Sequence, residues 1–411
     1  MAKKVGIKKT GAKKPVEPAN SKLSCPGFKA SGISAGIKSG AKKDLGLIVS
    51  DLPATVAGVF TKNKVKAAPV VIGQTLVRRK TSSGVIVNSG RANACTGAHG
   101  LEKARAMIGS VEAGLGLKAG SILSASTGSI GSPFPIDKII RRVPALVDSL
   151  SSKGFADFAE AIMTTDAYPK SAKLKARVGG KNITILGIAK GAGMIKPDMA
   201  TMLAFFMTDF NIGKRALKSA LKSSVDKTFN KISVDNDTST NDTVLIFANA
   251  LAGGKECAEG SASYRAFTKL LTEVSMKLAH LIVKDGEGAT KFIEVSVKGA
   301  KTQSDANKAT EAIADSYLVK TALFGSDPGW GRILAVLGRA KIKIDQNKVD
   351  ITLNGVKVAK NGIDNGKERE AAKKMRVKNI EIVCDLKLGK FSDTRWTSDL
   401  SDNYVKFNSG M

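Results

Sequence analysis

Two short runs of alternating apolar and polar residues flank the glycine pair Gly179-Gly180. Alternation with a period of two is typical of a β-strand that buries one face, and two consecutive glycines commonly form the turn of a hairpin. The runs cover residues 173–178 and 181–186, so they predict an antiparallel hairpin that delivers the chain to Lys190. Any fold of this chain must therefore accommodate antiparallel pairing in this region.

Apolar residues recur at helical spacing in other parts of the chain. Those within residues 217–229 recur every fourth residue, and those within residues 267–281 follow the same periodicity. Each set predicts an amphipathic helix with one buried stripe. A third helical pattern begins at Asp137 and contains Pro144, which must lie near the start of that helix or kink it.

Further strands are predicted towards the C-terminus. Residues 342–344, 349–353 and 356–358 are rich in the β-branched side chains that favour strands. The last two runs are separated by Asn354-Gly355, which is a strong signal for a two-residue hairpin turn. Because helical and strand patterns alternate along the chain, the predicted fold class is mixed α/β.

The composition is that of a folded protein with a large positive charge. The 411 residues include 65 Lys+Arg and 36 Asp+Glu, which gives a formal net charge of +29, and 43% of the residues are hydrophobic. This usage excludes disorder, and no apolar run is long enough to span a membrane. Because only 5% of the residues are aromatic and no nucleic-acid-binding motif is present, we interpret the excess charge as a solvated surface. A basic RNA-binding protein is the non-enzyme alternative.

Residues 1–20 are predicted to form a flexible basic tail. They are rich in lysine, they contain prolines and a glycine that break any helix, and they lack the apolar core of a secretory signal. Among the 4 cysteines there is no CxxC pair, and the chain has only 2 histidines, so neither a disulfide framework nor a zinc site is expected. The simplest expectation is a cytoplasmic protein without a metal. A mitochondrial or plastid address, read from the basic N-terminus, is the alternative.

The segment from Lys190 to Leu203 combines a strained turn with the start of a buried strand. Its glycines allow backbone angles closed to other residues, and Pro197 fixes a bend before the apolar run. If the Ala200–Thr201 bond were cleaved, the new α-amino group, with an ordinary pKa of about 7.7–8.0, could serve as the base for the Thr201 hydroxyl. A glycine-rich loop that enters a buried strand explains the same residues without any chemistry.

This segment resembles the self-cleaving motif of the ornithine acetyltransferase (ArgJ) family of arginine biosynthesis, which runs Lys-Gly-x-Gly-Met-x-x-Pro-x-Met-Ala-Thr-Met-Leu. Other segments resemble the same family in the same order along the chain. They are residues 36–38, 44–51, 58–61, 63–69, 88–90, 92–97, 126–128, 162–166, 237–242, 285–288 and 330–333. The resemblance therefore extends from about residue 25 to the C-terminus.

The resemblance implies an enzyme that cleaves itself to expose its nucleophile. Thr201 matches the family's nucleophile, and Ala200–Thr201 matches its cleavage site. Residues 21–200 would then form an alpha chain and residues 201–411 a beta chain. The implied fold is the mixed α/β fold of DmpA and ArgJ proteins, in which the two products stay intertwined. The implied assembly is an α2β2 heterotetramer.

Several further residues match the family's site. They are Thr127 and Gly128 of the oxyanion hole, and Thr164, Lys190, Thr201, Glu287 and Asn408 of the substrate-binding set. These residue types suit an N-acetylated diamino acid, because a lysine can bind a carboxylate and a glutamate can bind an ammonium. The resemblance implies no cofactor.

The implied reaction transfers an acetyl group from N2-acetyl-L-ornithine to L-glutamate through acetyl-Thr201. Acetyl-CoA is a further acetyl donor in this family, and no residue decides whether this chain uses it. The enzyme alternative is a self-processing amidohydrolase or aminopeptidase, in which water replaces glutamate as the acceptor. Two positions depart from the family pattern, because Arg91 and Gly329 stand where the family usually has asparagine.

Overall fold

Two β-sheets organise the chain in this computed structural model, which describes residues 23–196 and 202–409. The strands are β1 Phe28–Ile33, β2 Leu45–Phe60, β3 Thr81–Arg91, β4 Ile122–Ser129, β5 Lys170–Val178, β6 Lys181–Lys190, β7 Leu203–Thr208, β8 Ile232–Ser233, β9 Thr243–Ala248, β10 Phe292–Ala300, β11 Asp350–Leu353, β12 Val356–Lys360, β13 Ile363–Asp364, β14 Asn379–Asp385 and β15 Phe391–Ser398. The predicted tail and the Ala200–Thr201 bond lie outside the described residues.

Helices flank both sheets. They are α1 Ala68–Leu76, α2 Gly97–Gly114, α3 Ile136–Asp148, α4 Phe155–Ala161, α5 Lys214–Lys227, α6 Ala262–Lys284, α7 Gln303–Ala314, α8 Tyr317–Phe324, α9 Trp330–Arg339, α10 Glu368–Lys374 and α11 Asp402–Asn408. The mixed α/β class predicted from the sequence is confirmed. Among the described helices, none combines the length and the apolar character that a bilayer crossing requires.

The first sheet has eight strands and joins segments that precede residue 201 to segments that follow it. Its order is β4-β3-β2-β9-β7-β6-β5, with β1 paired to β2. Strands β1 to β6 precede residue 201, whereas β7 and β9 follow it. Strand β7 is antiparallel to β6 and parallel to β9, so Leu203 pairs with Lys190 on one side and with Thr243 on the other.

Strand β7 is apolar throughout because both faces of the sheet are covered at this position. All of its residues are buried. Phe205 belongs to one hydrophobic core, and Phe206 belongs to a second core on the opposite face, where helices α5 and α6 pack. A central strand covered on both faces carries a continuous apolar run instead of an alternating one.

The predicted hairpin and amphipathic helices are confirmed. Strands β5 and β6 pair as predicted, Val178 lies opposite Lys181, and Gly179 and Gly180 both adopt positive φ angles. The apolar stripes of α5 and α6 meet in one core. Helix α6 begins where the Ser261 side chain accepts a hydrogen bond from a backbone N–H of the first turn. Helix α5 ends at Lys227, two residues before the predicted limit at Phe229. Phe229 itself lies in a short 3-10 turn.

The second sheet has seven strands in the order β13-β12-β11-β14-β10-β15-β8. The Asn354-Gly355 turn is confirmed between β11 and β12, with φ angles of 43° and 77°. The predicted strand at residues 342–344 is wrong, because these residues lie outside every described strand. Ile342 and Ile344 instead pack partly buried against the core of this sheet, so their alternation reflects loop packing.

The helix predicted from Asp137 is also confirmed, and Pro144 lies inside it. Helix α3 spans Ile136–Asp148, so the proline stands in its second half and not near its start. Because proline has no N–H, the helix lacks one internal hydrogen bond at this position.

Candidate active site

One cavity of about 460 Å³ lies where the first sheet, the loop after α6 and helix α11 converge. It is lined by Lys38, Gly90, Thr127, Gly128, Ser129, Ile130, Thr164, Thr165, Lys190, Gly193, Met194, Met202, Leu203, Ser239, Asn241, Asp242, Glu287 and Asn408. Every predicted site residue in the described part of the chain is in this set. Thr201 lies outside the described residues, but Met202, its covalent neighbour, lines the cavity.

The end of β4 places Thr127 and Gly128 at the cavity. Strand β4 runs parallel to β3, and Gly128 pairs with Gly90 in the adjacent strand. Gly128 has a φ of 128°, and a Cβ at this position would lie 2.3 Å from the carbonyl carbon of Gly90. Only glycine allows this close approach of two backbones. The close approach of the two strands therefore requires a glycine at position 128, apart from any oxyanion role.

Lys190 connects the walls of the cavity. It is the last residue of β6 and is only 8% exposed. Its Nζ donates hydrogen bonds to Thr164 Oγ1 at 2.7 Å and to Thr127 Oγ1 at 3.3 Å. An ammonium group has three N–H donors, and in the described part of the chain two of them bond to these hydroxyls. The third donor is left for a ligand. Burial lowers the pKa of Lys190, while the carboxylate of Asp166 acts in the opposite direction.

Glu287 and Asn408 form another wall. The Nδ2 atom of Asn408 donates to Glu287 Oε2 at 3.1 Å, and the Glu287 backbone N–H donates to Ala192 O at 3.0 Å. Gly193 faces the Glu287 carboxylate so closely that a Cβ there would lie 2.3 Å from its carboxyl atoms. The absent side chain of Gly193 therefore makes room for the Glu287 carboxylate.

The chain that leads towards residues 197–201 is held by Asp235. Its carboxylate accepts hydrogen bonds from the N–H groups of Met194 and Ile195 at 2.6 and 2.7 Å. Met194 has a φ of 57°, an unusual value for a residue with a side chain. Farther along, the Lys196 N–H donates to Asp237 O at 3.0 Å. The segment predicted to be strained is thus fixed through backbone donors up to its last described residue.

Some residues of the cavity received no role from the sequence. The Nζ atom of Lys38 donates to Met163 O at 3.1 Å. Asn241 is buried and donates to the backbone oxygens of Ala92 and Ser126, while Asp242, which is 1% exposed, lines the cavity beside it. All lie in segments that resemble the family, and that resemblance is the only sequence signal that could have singled them out.

The departures from the family pattern lie in different places. Arg91 borders the cavity wall, because its Nη1 donates to Gly90 O at 2.9 Å and to Ser129 Oγ at 3.2 Å. Gly329 does not line the cavity and precedes helix α9 with a φ of 43°. Of the two, only the Arg91 substitution changes charge next to the predicted site.

The ArgJ family model matches residues 29–410. The chain belongs to the ArgJ family. A Caldanaerobacter subterraneus subsp. tengcongensis protein named "Arginine biosynthesis bifunctional protein ArgJ" is 46% identical over 399 residues, which cover 96% of this ArgJ-family chain and 99% of the relative. The Geobacter sulfurreducens protein of that name is 46% identical over 389 residues, which cover 94% and 99%.

A solved structure agrees with this family membership. The crystal structure of arginine biosynthesis bifunctional protein ArgJ from Bacillus halodurans is 37% identical, has a TM-score of 0.50, and matches 51% of this chain and 100% of the solved chain. The predicted family, the fold class and the assignment to the acyltransferases of arginine biosynthesis are confirmed. Within residues 23–196 and 202–409, no group of three or more His, Cys, Asp or Glu residues is arranged to hold a metal ion.

Proposed function

We propose that this ArgJ-family chain is a glutamate N-acetyltransferase that transfers acetyl from N2-acetyl-L-ornithine to L-glutamate through acetyl-Thr201. One observation carries the proposal: Thr127, Gly128, Thr164, Lys190, Glu287 and Asn408 come from distant parts of the chain and line one cavity together with Met202. Consecutive Cα atoms are about 3.8 Å apart, so the residue that precedes Met202 is within reach of the same cavity.

Maturation by self-cleavage would create the nucleophile. The Thr201 hydroxyl attacks the Ala200 carbonyl, and the acyl group shifts from nitrogen to oxygen, which breaks the amide bond and frees the α-amino group of Thr201. Water then hydrolyses the ester, which releases the Ala200 carboxylate and restores the Thr201 hydroxyl. Residues 21–200 and 201–411 become separate chains that share the eight-stranded sheet. The solved Bacillus halodurans chain matches only 51% of this one, a length that suits a single cleavage product.

The first half-reaction acetylates Thr201. Its α-amino group takes the hydroxyl proton while the oxygen attacks the acetyl carbonyl of acetylornithine. The resulting oxyanion accepts hydrogen bonds from the Thr127 hydroxyl and the Gly128 N–H, and loss of one such donor typically costs about 2.7–4 kcal/mol of barrier. The C–N bond then breaks, the ornithine amine leaves with the proton, and the acetyl ester remains.

Charged side chains select the substrate. Lys190 binds the α-carboxylate, because its Nζ is held at the cavity by the hydroxyls of Thr127 and Thr164. Glu287 binds the side-chain ammonium of ornithine, and Asn408 orients the Glu287 carboxylate. In the second half-reaction the amine of glutamate attacks the ester and regenerates the Thr201 hydroxyl. This scheme uses neither a metal nor a cofactor.

Acetyl-CoA is a second acetyl donor in this proposal. The relatives are named bifunctional proteins, and an acyl-enzyme can be loaded by more than one donor before glutamate attacks. We also propose a cytoplasmic α2β2 heterotetramer. Native mass measurement of the purified protein, compared with its mass on a denaturing gel, tests the assembly.

The acetyl-enzyme itself is the experimental target. Mature enzyme incubated with N2-acetylornithine without glutamate should release ornithine in a burst and add one acetyl mass to the fragment that begins at Thr201. Added glutamate should remove that mass and yield N-acetylglutamate. Intersecting initial-rate lines without an acetylated fragment would indicate direct transfer, and rapid release of free acetate without glutamate would indicate the amidohydrolase alternative.

A further inference from the structure

A cluster of buried charges lies behind the cavity wall. The side chains of Asp166 and Lys170 are 0% exposed, and that of Asp285 is 4% exposed. Lys170 Nζ lies 2.7 Å from Asp166 Oδ1 and 2.5 Å from Asp285 Oδ2. With Lys190 the cluster contains two carboxylates and two ammonium groups, so its formal charges cancel. Burial of such charges is tolerated only when each is paired.

Asp166 contacts both segments that carry the cationic side of the cavity. Its Oδ1 also accepts a hydrogen bond from the Gly191 N–H at 2.6 Å, and its Oδ2 accepts one from the Thr164 N–H at 3.0 Å. The same Oδ2 lies 3.9 Å from Lys190 Nζ. This separation is too long for a hydrogen bond but short enough for a strong Coulomb attraction. Asp166 therefore attracts the Lys190 charge without occupying its donors.

Lys170 connects this carboxylate to the opposite wall. Asp285 Oδ2, which receives the Lys170 ammonium, also accepts a hydrogen bond from the Ala167 N–H at 3.0 Å. Asp285 follows the last residue of α6 and stands two positions before Glu287. One buried lysine thus links the strand β5 to the loop that presents Glu287.

The charges around Lys190 have opposing effects. Burial lowers the pKa of Lys190, and Lys170 acts in the same direction, whereas Asp166, Glu287 and Asp242 favour its charged form. Lys38 is a further nearby cation, because burial and, to a smaller extent, Lys190 lower the pKa of Lys38. Burial alone would raise the pKa of Asp166, but Lys190 and Lys170 together hold it well below its usual range. Asp166 thus stays ionised, as a counter-ion to Lys190 must.

We propose that Asp166, held in place by Lys170 and Asp285, is a positioning residue of the acetyl transfer that keeps Lys190 charged and directs its Nζ to the substrate carboxylate. This inference rests on the proposed function, because it assigns the carboxylate-binding role to Lys190. A cluster that only stabilised the fold would have the same contacts but would not control the protonation of Lys190.

The test compares two substitutions with opposite electrostatic effects. Asp166→Asn removes a negative charge beside Lys190, so the alkaline limb of the kcat/KM profile for N2-acetylornithine should move to lower pH. Lys170→Met removes a positive charge, so that limb should move to higher pH. In Asp166→Asn, kcat/KM near neutral pH should also fall about tenfold or more, mainly through KM.

The chain offers a matched control in Asp350. Its side chain is 10% exposed, compared with 0% for Asp166, and it likewise lies beside two lysines. It accepts hydrogen bonds from Lys357 at 2.7 Å and from Lys387 at 2.5 Å. It lies in the second sheet, on strand β11, and does not line the cavity. Asp350→Asn should therefore leave the pH profile at the wild-type position even if it lowers the melting temperature.

Unchanged alkaline limbs in the variants, or shifts in the same direction, would overturn the inference. If Asp166→Asn fails to fold or to process, the direction of the shift in Lys170→Met decides. Failure of both, with Asp350→Asn intact, would assign the cluster to folding and also overturn it. Failure of the proposed function has a separate signature, because wild-type enzyme would then form no acetylated Thr201 fragment.

Discussion

Gly193→Ala should selectively disable the recognition of the ornithine side chain. A Cβ at residue 193 would lie 2.3 Å from the carboxyl atoms of Glu287, whereas ordinary contacts between non-bonded atoms lie at about 3.5–4.0 Å. No backbone atom is among the three nearest to this Cβ, and Gly193 does not have a positive φ. The substitution therefore leaves the backbone unstrained and pushes the Glu287 carboxylate away by about 1 Å or more.

The size of the effect follows from the lost contact. A hydrogen bond that involves a charged group contributes about 1.5–3 kcal/mol. Because about 1.4 kcal/mol corresponds to a tenfold change, kcat/KM for N2-acetylornithine should fall about 10- to 100-fold in Gly193→Ala. Most of this loss should be an increase in KM, since Glu287 binds a part of the substrate that does not react.

Steady-state kinetics on two single variants, their double variant and a control variant tests this reasoning. Glu287→Ala should reproduce the loss, and Gly193→Ala should add little to it, because the obstructing carboxylate is then absent. Gly109→Ala, at a helical position with open space around it, is the control and should retain wild-type kinetics. Full activity of Gly193→Ala, or additive losses in the double variant, would show that the Gly193 and Glu287 contact does not matter for binding.

Two further predictions concern maturation and stability. The purified protein should run on a denaturing gel as two fragments of about half the 43.0 kDa mass, the second beginning Thr-Met-Leu-Ala, while Thr201→Ala stays uncut and inactive; a fully active uncut chain would contradict the mechanism. Burial, with a contribution from Lys284, lowers the pKa of His280, which packs against the rings of Phe292 and Trp396. The unfolded chain therefore takes up a proton that the folded chain rejects as pH falls below about 6.5, so the free energy of unfolding should decrease there. Urea unfolding at several pH values should show a smaller decrease for His280→Gln than for wild type, and equal decreases would refute this role.

Local patterns predicted the elements that depend on local physics. The Gly179-Gly180 and Asn354-Gly355 turns need positive φ angles, and glycine or asparagine at these positions is a direct signal of that need. The prediction of a strand at residues 342–344 was wrong because it rested on alternation alone. Alternation shows that one side of a segment is buried, but it cannot show whether a partner strand is available to satisfy the backbone.

The site was predictable only in part. Its residues were identified by resemblance, but their meeting in one cavity depends on strand order and long-range pairing, which no local pattern contains. Asp166 lies in a segment that resembles the family, yet its contacts with Lys170 and Gly191 join segments whose proximity only the fold creates. The same holds for the fit between Gly193 and Glu287.

The central position of β7 bears on whether folding or the proposed cleavage comes first. Its first residue, Leu203, is paired on both sides, with Lys190 in β6 and with Thr243 in β9. If the proposed cleavage uses the Thr127 hydroxyl and the Gly128 N–H of β4 as its oxyanion hole, as the acetyl transfer does, the bond can break only after the sheet has closed around β7. A cleaved molecule would thus be one that had already folded correctly. Heat or denaturant would then separate the two fragments, and their unpaired strand edges favour aggregation over reassembly. Unfolding of the mature enzyme should therefore be irreversible, whereas unfolding of the uncut Thr201→Ala chain should be reversible.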